Sequence, residues 1–408
     1  MKFSKLSQLV LVSAVGLTLA TFLTACQLVT IDFIFVADSA GTSSGSAGQI
    51  QAFEVDAFSG ALRMGPPTVP SGGTGPISMA VTTDYNNLYV ANQGNNSVVH
   101  FTISANGILA QAGSVTLTTT PVYIAVSPAN NYLYVVSYAP SAVTPSAILT
   151  EYSLSSGTIG SVTSTQSLTV PGYTMDIVVP TSVTVLANAD AVYVTAYDKS
   201  AYNPGGSTNS EANPGWLFSY SIGTSGALTA TASSPYQAGV KPSALTTDPT
   251  SRFVYVTDYA SDELIGYTVL DGSALQFMIG GPFKTGSEPN AITIDPRGIY
   301  IYLTNSLASN LSAYTISLPT GTPSGIVGIA SGANYTTDTD PVSIVVEPSL
   351  GRYVYTANFL GNDVSGFKLD PNTGALTANQ ATPYPTGANP TALIAVPHGN
   401  HAVETVTP

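Results

Sequence analysis

The sequence predicts an all-β protein folded as a seven-bladed β-propeller, and three observations carry this prediction. Only 8% of the 408 residues are charged, against roughly a quarter in an average soluble domain. The chain is rich instead in residues that favour strands and turns, including 37 glycines, 28 prolines and 23 tyrosines. A tyrosine-centred strand motif recurs seven times, and the segment expected to pair with its first copy lies at the far end of the chain.

The same composition argues against other classes of protein. Helical bundles and coiled coils need charged faces toward solvent, and a disordered chain needs low hydrophobicity, whereas 44% of this chain is hydrophobic. The net charge of −13 argues against nucleic acid as a partner, because phosphates require clustered Lys and Arg. The sequence has no metal-spaced Cys/His set, no haem motif and no glycine-rich nucleotide loop. We therefore expect neither a metal nor a cofactor.

The N-terminus has the pattern of an export signal. A basic start and a mostly apolar stretch over residues 6–23 lead to Cys26, the only cysteine in the chain. This pattern predicts a lipoprotein signal peptide over residues 1–25, lipidation of Cys26 and a short tether over 26–30. An ordinary secretory signal and an uncleaved anchor helix are the alternatives. Because Gln27 is not Asp, enterobacterial sorting rules favour the outer membrane, with the lipid as the sole membrane contact.

Each copy of the strand motif has an apolar residue, an aromatic residue (Tyr or Phe), and then small or β-branched residues, often ending in Asn or Asp. The seven copies lie at 34–38, 88–92, 133–137, 192–196, 254–258, 301–305 and 354–358. Two strands follow each copy, so that every unit contains about 50 residues and four strands, A to D. Repeats of this length and strand number are typical of propeller blades.

A second element, a proline followed by an alternating apolar strand, precedes the motif copies and predicts strand A. Clear examples begin at Pro76, Pro121, Pro242, Pro289 and Pro341, and a degenerate copy for blade 4 is expected near residues 171–179. The copy missing before the first unit appears at 390–396. Pairing of 390–396 with 31–37 would close the ring and remove an exposed sheet edge. The propeller is thus expected to span residues 31–397, followed by a tail over 398–408.

Propeller ligands are expected at the channel mouth, which the D-to-A and B-to-C loops form. Blades 5 and 6 are neighbours and bring Lys241, Asp258, Lys284 and Glu288 to this face as candidate catalytic residues. A carboxylate could activate water, and a lysine could stabilise the oxyanion that forms when water attacks a carbonyl. The alternative for the strand-end residue Asp258 is a turn cap, which repetition of the position in other blades favours.

Other residues at the mouth are candidates for ligand binding. The strand-end residues Asp38, Asn92, Asn305 and Asn358 could bind a ligand or cap their own turns. The rings of Tyr138, Tyr197 and Tyr259 could stack on a sugar, or pack between blades. Trp216 follows a long insertion over 196–215, and it could form a contact patch or pack beneath the insertion.

The chain resembles the bacterial seven-bladed propeller lactonases, which include 6-phosphogluconolactonase-type enzymes, and their YVTN-repeat relatives. The resemblance rests on the seven tyrosine-centred strands and on the linking runs and turns at 234–239, 281–286, 295–298, 371–376 and 382–387. It implies hydrolysis of a sugar lactone. Lactonases of this family typically carry a His-x-His pattern in an inner strand, whereas residues 121–126 here contain no histidine. The alternative function is a non-enzymatic envelope module that binds a ligand, glycan or protein.

Overall fold

The described residues form seven antiparallel sheets arranged as blades. The computed structural model describes residues 29–39, 47–139, 146–172, 178–199, 214–317 and 326–399. Within these ranges every regular element is a strand, except for one 3₁₀ turn at Asp271–Ser273. The prediction of an all-β, seven-bladed propeller is therefore confirmed. The predicted signal peptide and Cys26 lie outside the described residues.

Each blade runs from strand A at the channel to strand D at the periphery. In order of blades 1 to 7, strands A are Pro390–Pro397, Pro76–Val81, Thr120–Val126, Val178–Val185, Pro242–Thr247, Pro289–Ile294 and Pro341–Val346. Strands B are Thr30–Asp38, Asn87–Asn92, Tyr132–Ala139, Ala191–Asp198, Phe253–Asp258, Tyr300–Asn305 and Tyr353–Asn358. Strands C are Ala47–Asp56, Ser97–Ile103, Ser146–Ser155, Gly215–Ile222, Glu263–Val269, Asn310–Ile316 and Asp363–Leu369.

Strand D is the most variable strand of the blades. It is continuous in blades 2, 3 and 6, as Leu109–Thr116, Thr158–Ser167 and Ile326–Thr336. In the other four blades two short segments pair with strand C. These are Leu62–Met64 with Val69–Thr74, Leu228–Ala230 with Tyr236–Gln237, Leu275–Phe277 with Phe283–Lys284, and Leu376–Ala378 with Tyr384–Pro385.

Blade 1 is assembled from both ends of the propeller. Its strand A pairs antiparallel with its strand B in a register that places Asp32 opposite Pro397 and Phe35 opposite Ile394. This pairing confirms the predicted ring closure. It covers the edge of strand B that would otherwise be unpaired and completes the four strands of the blade.

The repeated tyrosine of strand B joins neighbouring blades. The rings of Tyr89, Tyr193, Tyr302 and Tyr355 are fully buried, and each hydroxyl donates to a main-chain carbonyl in the C-to-D turn of the next blade. The oxygen–oxygen distances are 2.6 Å to Gly157, 3.2 Å to Ser273, 2.8 Å to Gly374 and 2.7 Å to Gly60. The motif therefore recurs because one side chain both fills the space between blades and links them with a hydrogen bond.

Replacing Tyr355 by phenylalanine is expected to lower the free energy of unfolding by about 1 kcal/mol, the net value of one buried hydrogen bond. The lost bond crosses from blade 7 to Gly60 in blade 1. Tyr255→Phe is the matched control, because no described residue bonds to the buried Tyr255 hydroxyl, so its loss should be neutral or stabilising. Urea unfolding of both variants measures the difference. Equal losses in the two variants would contradict this role of the hydroxyl.

Strand A of every blade contains, at or near its start, a buried proline followed by one bulged residue. The register with strand B skips the residue after the proline in all seven blades. In blade 4 this proline is Pro180, so strand A lies at Val178–Val185 rather than near the predicted 171–179. The prediction was wrong because it started from Pro171, an earlier proline nine residues upstream. The seven bulged residues, named here the bulge ring, are Ile77, Val122, Thr181, Ser243, Asn290, Val342 and Thr391.

Candidate functional site

A cavity of about 500 Å³ lies in the channel at the centre of the ring. Every member of the bulge ring lines it and is half-buried. A bulge turns one side chain out of the regular alternation of a strand, and here it does so at the same level in each blade. The volume is within the usual range for sites that bind small molecules.

The mouth of this cavity lies where strand B ends and strand A begins. At this level two main-chain groups form a hydrogen bond within each of blades 5, 6 and 7. The carbonyl of the residue that precedes the strand A proline accepts from the N–H of the residue that follows the last residue of strand B. The pairs in blades 5, 6 and 7 are Lys241 with Tyr259, Glu288 with Ser306, and Asp340 with Phe359, at 3.0, 2.9 and 2.8 Å. The matching residues before the proline in blades 1 to 4 are Asn389, Gly75, Thr120 and Val179. All charge at this position thus falls in three adjacent blades, and we name Lys241, Glu288 and Asp340 the charged arc.

Tyr259 connects two members of the charged arc. Its hydroxyl donates to Glu288 Oε2 at 2.6 Å, and the Lys241 ammonium lies 4.0 Å from the centroid of its ring. The same ammonium is 5.8 Å from the ring centroid of Tyr197. A cation over aromatic faces is attracted by their quadrupoles. The contacts join a carboxylate and an ammonium to one phenol, and that phenol lines the cavity.

The Glu288 charge acts on both other members of the arc. Burial lowers the pKa of Lys241, and the attraction of Glu288 opposes this shift and favours the ammonium. Burial raises the pKa of Asp340, and repulsion by Glu288 raises it further. The site therefore contains two carboxyl groups in different environments, one of which is held toward its protonated form. Two carboxyl groups whose environments differ in this way are typical of acid–base pairs in hydrolytic sites.

Glu288 adopts a backbone conformation that its residue type disfavours. Its φ angle is +59°, in the left-handed region that Gly, Asn and Asp tolerate best. The other positive angles at this blade position belong to Gly75, Asp340 and Asn389. The backbone of Glu288 is held by a bond from its N–H to Asp262 Oδ1 at 2.8 Å. Because four of the seven blades share this conformation, it belongs to the connection that enters strand A, and in blade 6 this position is filled by a residue type that disfavours it.

Two of the four predicted catalytic residues do not join this cluster. Asp258 is fully buried, and its carboxylate accepts the N–H groups of Val240 and Lys241 at 2.8 Å each, so it acts as the turn cap. Lys284 is on the outer rim, in the strand D position, where its ammonium pairs with Glu263 at 2.8 Å. The structure brings together only Lys241 and Glu288 from the predicted set.

The predicted strand-end ligands are buried, and the three asparagines among them form hydrogen bonds within the protein, Asn92 with a residue of the neighbouring blade 1. They are Asp38, Asn92, Asn305 and Asn358, all fully buried. Asn305 and Asn358 donate to serine hydroxyls of strand C at 2.9 and 2.8 Å, and Asn92 accepts from Ser71 at 2.8 Å. The three asparagines satisfy polar groups where strands end, and none of the four side chains is among the residues that line the cavity.

The predicted aromatic residues divide into two groups. Tyr138, Tyr197 and Tyr259 are half-buried at the mouth, and Tyr259 lines the cavity together with Phe359. Trp216 does not form a contact patch, because it is only 3% exposed and packs in the core between blades 3 and 4. Strand C of blade 4 places it there, opposite Ala196.

Two cavity residues were missed from the sequence: Tyr123 and Asn290. Tyr123 follows the bulge of blade 3, at a position where the other six blades carry Ser or Ala. Asn290 is the one amide in the bulge ring. Both stand out only once the seven strands A are aligned on their prolines, which is a signal that the sequence does contain.

Among the described residues, no group of three His, Cys, Asp or Glu side chains could hold a metal ion. Within the same ranges, no helix is long and apolar enough to span a membrane. His100 is buried in blade 2, where it contacts Asn87 Oδ1 at 2.8 Å and stacks on Tyr89. Arg252 and Arg297 pair with Asp248 and Asp295 in A-to-B turns, on the face opposite the mouth.

Comparisons with known proteins agree with this architecture. The family model described as lactonase, 7-bladed beta-propeller, matches residues 37–159 and 224–402, more than half of the chain. No curated protein sequence matches the chain. The solved periplasmic gluconolactonase of Pseudomonas aeruginosa is similar with a TM-score of 0.71 at 18% identity, over 90% of this chain and 99% of its own.

Two further solved structures show how widely the fold is used. A putative 6-phosphogluconolactonase from Bacteroides uniformis gives a TM-score of 0.70 at 15% identity, over 90% of this chain and 99% of its own. The hydrazine synthase of Kuenenia stuttgartiensis gives a TM-score of 0.54 at 16% identity, over 80% of this chain and 93% of its own. At these identities the likeness shows the fold alone, and one fold supports unrelated reactions.

Proposed function

Because the chain belongs to the family of seven-bladed β-propeller lactonases, we propose that it hydrolyses a lactone to the hydroxy acid at the channel mouth. One observation carries the proposal: the Tyr259 hydroxyl fixes the Glu288 carboxylate at 2.6 Å while its ring contacts the Lys241 ammonium. A base and a cation are thus held by the same side chain at the edge of a cavity of suitable size.

The three charged residues can divide the reaction between them. Glu288 takes a proton from water as the water oxygen bonds to the lactone carbonyl carbon. Lys241 stabilises the negative charge that develops on the carbonyl oxygen. The bond to the ring oxygen then breaks, and Asp340, whose pKa is raised by burial and by Glu288, gives that oxygen a proton. One water is consumed and one hydroxy acid is formed.

The test uses a protein of residues 27–408 and glucono-δ-lactone as substrate. The rate of acid release is measured at constant pH and compared with the rate of spontaneous hydrolysis without protein. The proposal expects acceleration that is proportional to protein concentration. A rate equal to the spontaneous one would overturn it. Saturable binding without turnover would favour the alternative of a binding module, which the half-buried rings of Tyr138 and Tyr197 at the mouth support, since sugars stack on such rings.

We also propose that the protein is exported and held at the cell envelope by a lipid on Cys26, with the outer membrane favoured. In an enterobacterial host the full chain should incorporate labelled palmitate and sediment with membranes. Cys26→Ala should abolish the label, because the thiol is the acylation site. Gln27→Asp is the matched control, since it should keep the label and move the protein to the inner membrane. Label retained by Cys26→Ala would contradict this anchor.

A further inference from the structure

The chain enters the propeller on the face opposite the channel mouth, because strand B of blade 1 begins there at Thr30 and runs toward the mouth. The first residues of this strand are held on two sides. The Val29 carbonyl accepts the Ala57 N–H at 2.8 Å. The Thr30 hydroxyl accepts from the Arg63 guanidinium at 2.6 Å and donates to the Glu54 carboxylate at 3.1 Å. The fold therefore fixes the place at which the chain joins the ring.

The distance from this place to the proposed lipid is short. Three Cα–Cα steps separate Val29 from Cys26. Consecutive Cα atoms are about 3.8 Å apart, so these two Cα atoms can be separated by about 11 Å at most. The acyl chains of a lipid on Cys26 insert into the bilayer, and the surface around Val29 then lies within this reach of the headgroups. So short a connection leaves the propeller little freedom to turn another face to the membrane.

An aromatic side chain projects from the surface beside the chain entry. Phe58 is 75% exposed and Val29 is 40% exposed. Phe58 follows Ala57, the hydrogen-bond partner of Val29, in the C-to-D turn of blade 1. The Asp56 carboxylate accepts the N–H groups of Phe58 and Ser59 at 3.2 and 2.9 Å, which holds this turn in one shape. An exposed Phe ring is one of the groups that surface-bound proteins insert at the boundary of headgroups and acyl chains.

Two cations flank this turn from blade 7. The Tyr353 hydroxyl donates to the Ala57 carbonyl at 3.0 Å. Arg352 precedes this tyrosine in the chain, and Lys368 lies opposite it in the register of strands B and C. Both cations are exposed, and neither belongs to an ion pair within the described ranges. We name the following set the entry corner: Val29, Phe58, Arg352 and Lys368.

The entry corner differs in charge from the rest of the protein, which carries a net charge of −13. At the corner, the Glu54 carboxylate is paired with Arg63 at 2.7 Å. Among the described residues, the exposed carboxylates of this face lie in other turns. They are Asp84, Asp190 and Asp271 in blades 2, 4 and 5, and Asp370 in the blade 7 turn that Arg297 of blade 6 contacts. The local excess of positive charge is complementary to the phosphates of anionic phospholipids.

We propose that the entry corner docks on the phospholipid bilayer, with the Phe58 ring among the headgroups and with Arg352 and Lys368 at phospholipid phosphates. This contact is additional to the lipid, which the sequence alone predicts as the sole membrane contact. Strand B of blade 1 has nine residues, which span roughly 26 Å, so the channel mouth opens away from the bilayer. The choice of this face rests on the proposed lipid at Cys26 and does not depend on lactone hydrolysis.

Quenching of fluorescence by brominated lipid tests the position of the corner. Cys26 is the only cysteine, so residues 26–408 can be coupled to a maleimide lipid in vesicles of phosphatidylethanolamine and phosphatidylglycerol. This coupling supplies a lipid whether or not a cell attaches one. Phe58→Trp should then emit at shorter wavelength and lose intensity when the phospholipid acyl chains carry bromine. Trp216, the only tryptophan of the chain, is 3% exposed and provides the baseline.

Leu307→Trp is the matched control. Leu307 is 68% exposed and lies in the B-to-C loop of blade 6, on the mouth face. A tryptophan at this position should not be quenched, because the mouth faces away from the bilayer. Equal quenching in the two variants, or no quenching in Phe58→Trp, would overturn the docking.

The contribution of the cations is measured with the same Phe58→Trp reporter. Arg352→Gln with Lys368→Gln should lower the ratio of quenched to unquenched reporter by about fivefold for each charge removed. Quenching should also lose its dependence on phosphatidylglycerol. Lys199→Gln with Lys284→Gln removes the same charge from exposed positions away from the corner and should have no effect. Equal losses in the two pairs would mean that net charge alone acts, and would overturn the phosphate contacts.

The outcomes for the docking surface and for the lipid anchor can be distinguished. Quenching in the coupled vesicles without palmitate incorporation in cells would refute the anchor and leave the docking surface standing. Palmitate incorporation without quenching would refute the docking surface and leave the anchor standing.

Discussion

Glu288→Gln is expected to lower kcat/KM for lactone hydrolysis by about 10²- to 10⁴-fold, the usual loss when a general base is removed. The amide keeps the size of the side chain and can still accept the Tyr259 hydroxyl, which bonds to Glu288 Oε2 at 2.6 Å. The fold should therefore survive while proton transfer from water is lost. Initial rates of acid release, with the spontaneous rate subtracted, measure the effect.

Lys241→Met should give a loss of about 10²- to 10³-fold by a different route, because it removes the cation that stabilises the oxyanion. The methionine retains the apolar stem over the Tyr259 ring. A fall in kcat with an unchanged KM would place the contribution in the transition state. A change in KM alone would make Lys241 a binding residue.

The outer rim provides controls with the same chemistry. Lys284 and Glu263 form an ion pair at 2.8 Å, and the lysine side chain is 76% exposed. Lys284→Met and Glu263→Gln should leave kcat/KM unchanged, and an exposed pair of this kind contributes little stability. Loss of activity in these variants, or full activity in Glu288→Gln, would contradict the assignment of the charged arc.

The fold could be predicted because its determinants repeat. The tyrosine of strand B has the same task in several blades, to fill the space between sheets and to bond to the next one, as Tyr89 and Tyr302 do. Seven weak signals at a regular spacing make one strong signal. The displaced strand A could be located for the same reason, since it is a repeat element found at the wrong end of the chain.

The site could be predicted only in part, because the sequence does not show how deeply a strand end is buried. Sorting charges by blade face found Lys241 and Glu288. It could not separate Glu288, which precedes strand A, from Asp258, which ends strand B and caps main-chain amides inside the blade. The inward direction of Asn290 and Val122 depends on a bulge, which adds one residue to a strand and changes the face of the side chain.

Asp38 is the exception among the strand-end residues, and it has a consequence for stability. The same position carries Asn92, Asn305 and Asn358 in three other blades, and in blade 5 the buried Asp258 carboxylate accepts two main-chain N–H groups. In blade 1 the Asp38 carboxyl group is also fully buried. No described residue donates to either of its oxygens by ordinary hydrogen-bond geometry. Burial raises its pKa from 3.8 to about 7, and the nearby Gly387 amide offsets only part of the rise.

A raised pKa in the folded state fixes the sign of the pH dependence. The folded protein holds the Asp38 proton over a range in which the unfolded chain has lost it. This contribution to stability is complete below about pH 4 and is lost as the pH rises to about 7. The shift corresponds to on the order of 4 kcal/mol. The buried Asp32, whose pKa is raised by burial and by Glu347, contributes with the same sign.

Asp38→Asn should therefore stabilise the protein at pH 8 by a few kcal/mol and have little effect at pH 4, because the amide cannot ionise. The slope of unfolding free energy between pH 4 and 7 should become shallower but keep its sign, since Asp32 remains.

Asp56→Asn is the opposite control. Burial alone would raise the Asp56 pKa, but hydrogen bonds from Ser59 and Phe58 outweigh it and lower that pKa, so its carboxylate stabilises the fold at neutral pH and loses this effect as pH falls. Urea unfolding at pH 5 and pH 8 should thus show Asp38→Asn gaining stability at the higher pH and Asp56→Asn losing stability at both, because the Asp56 pKa is lowered from 3.8. A loss at pH 8 in both variants would mean that the Asp38 carboxylate has a partner in the folded protein.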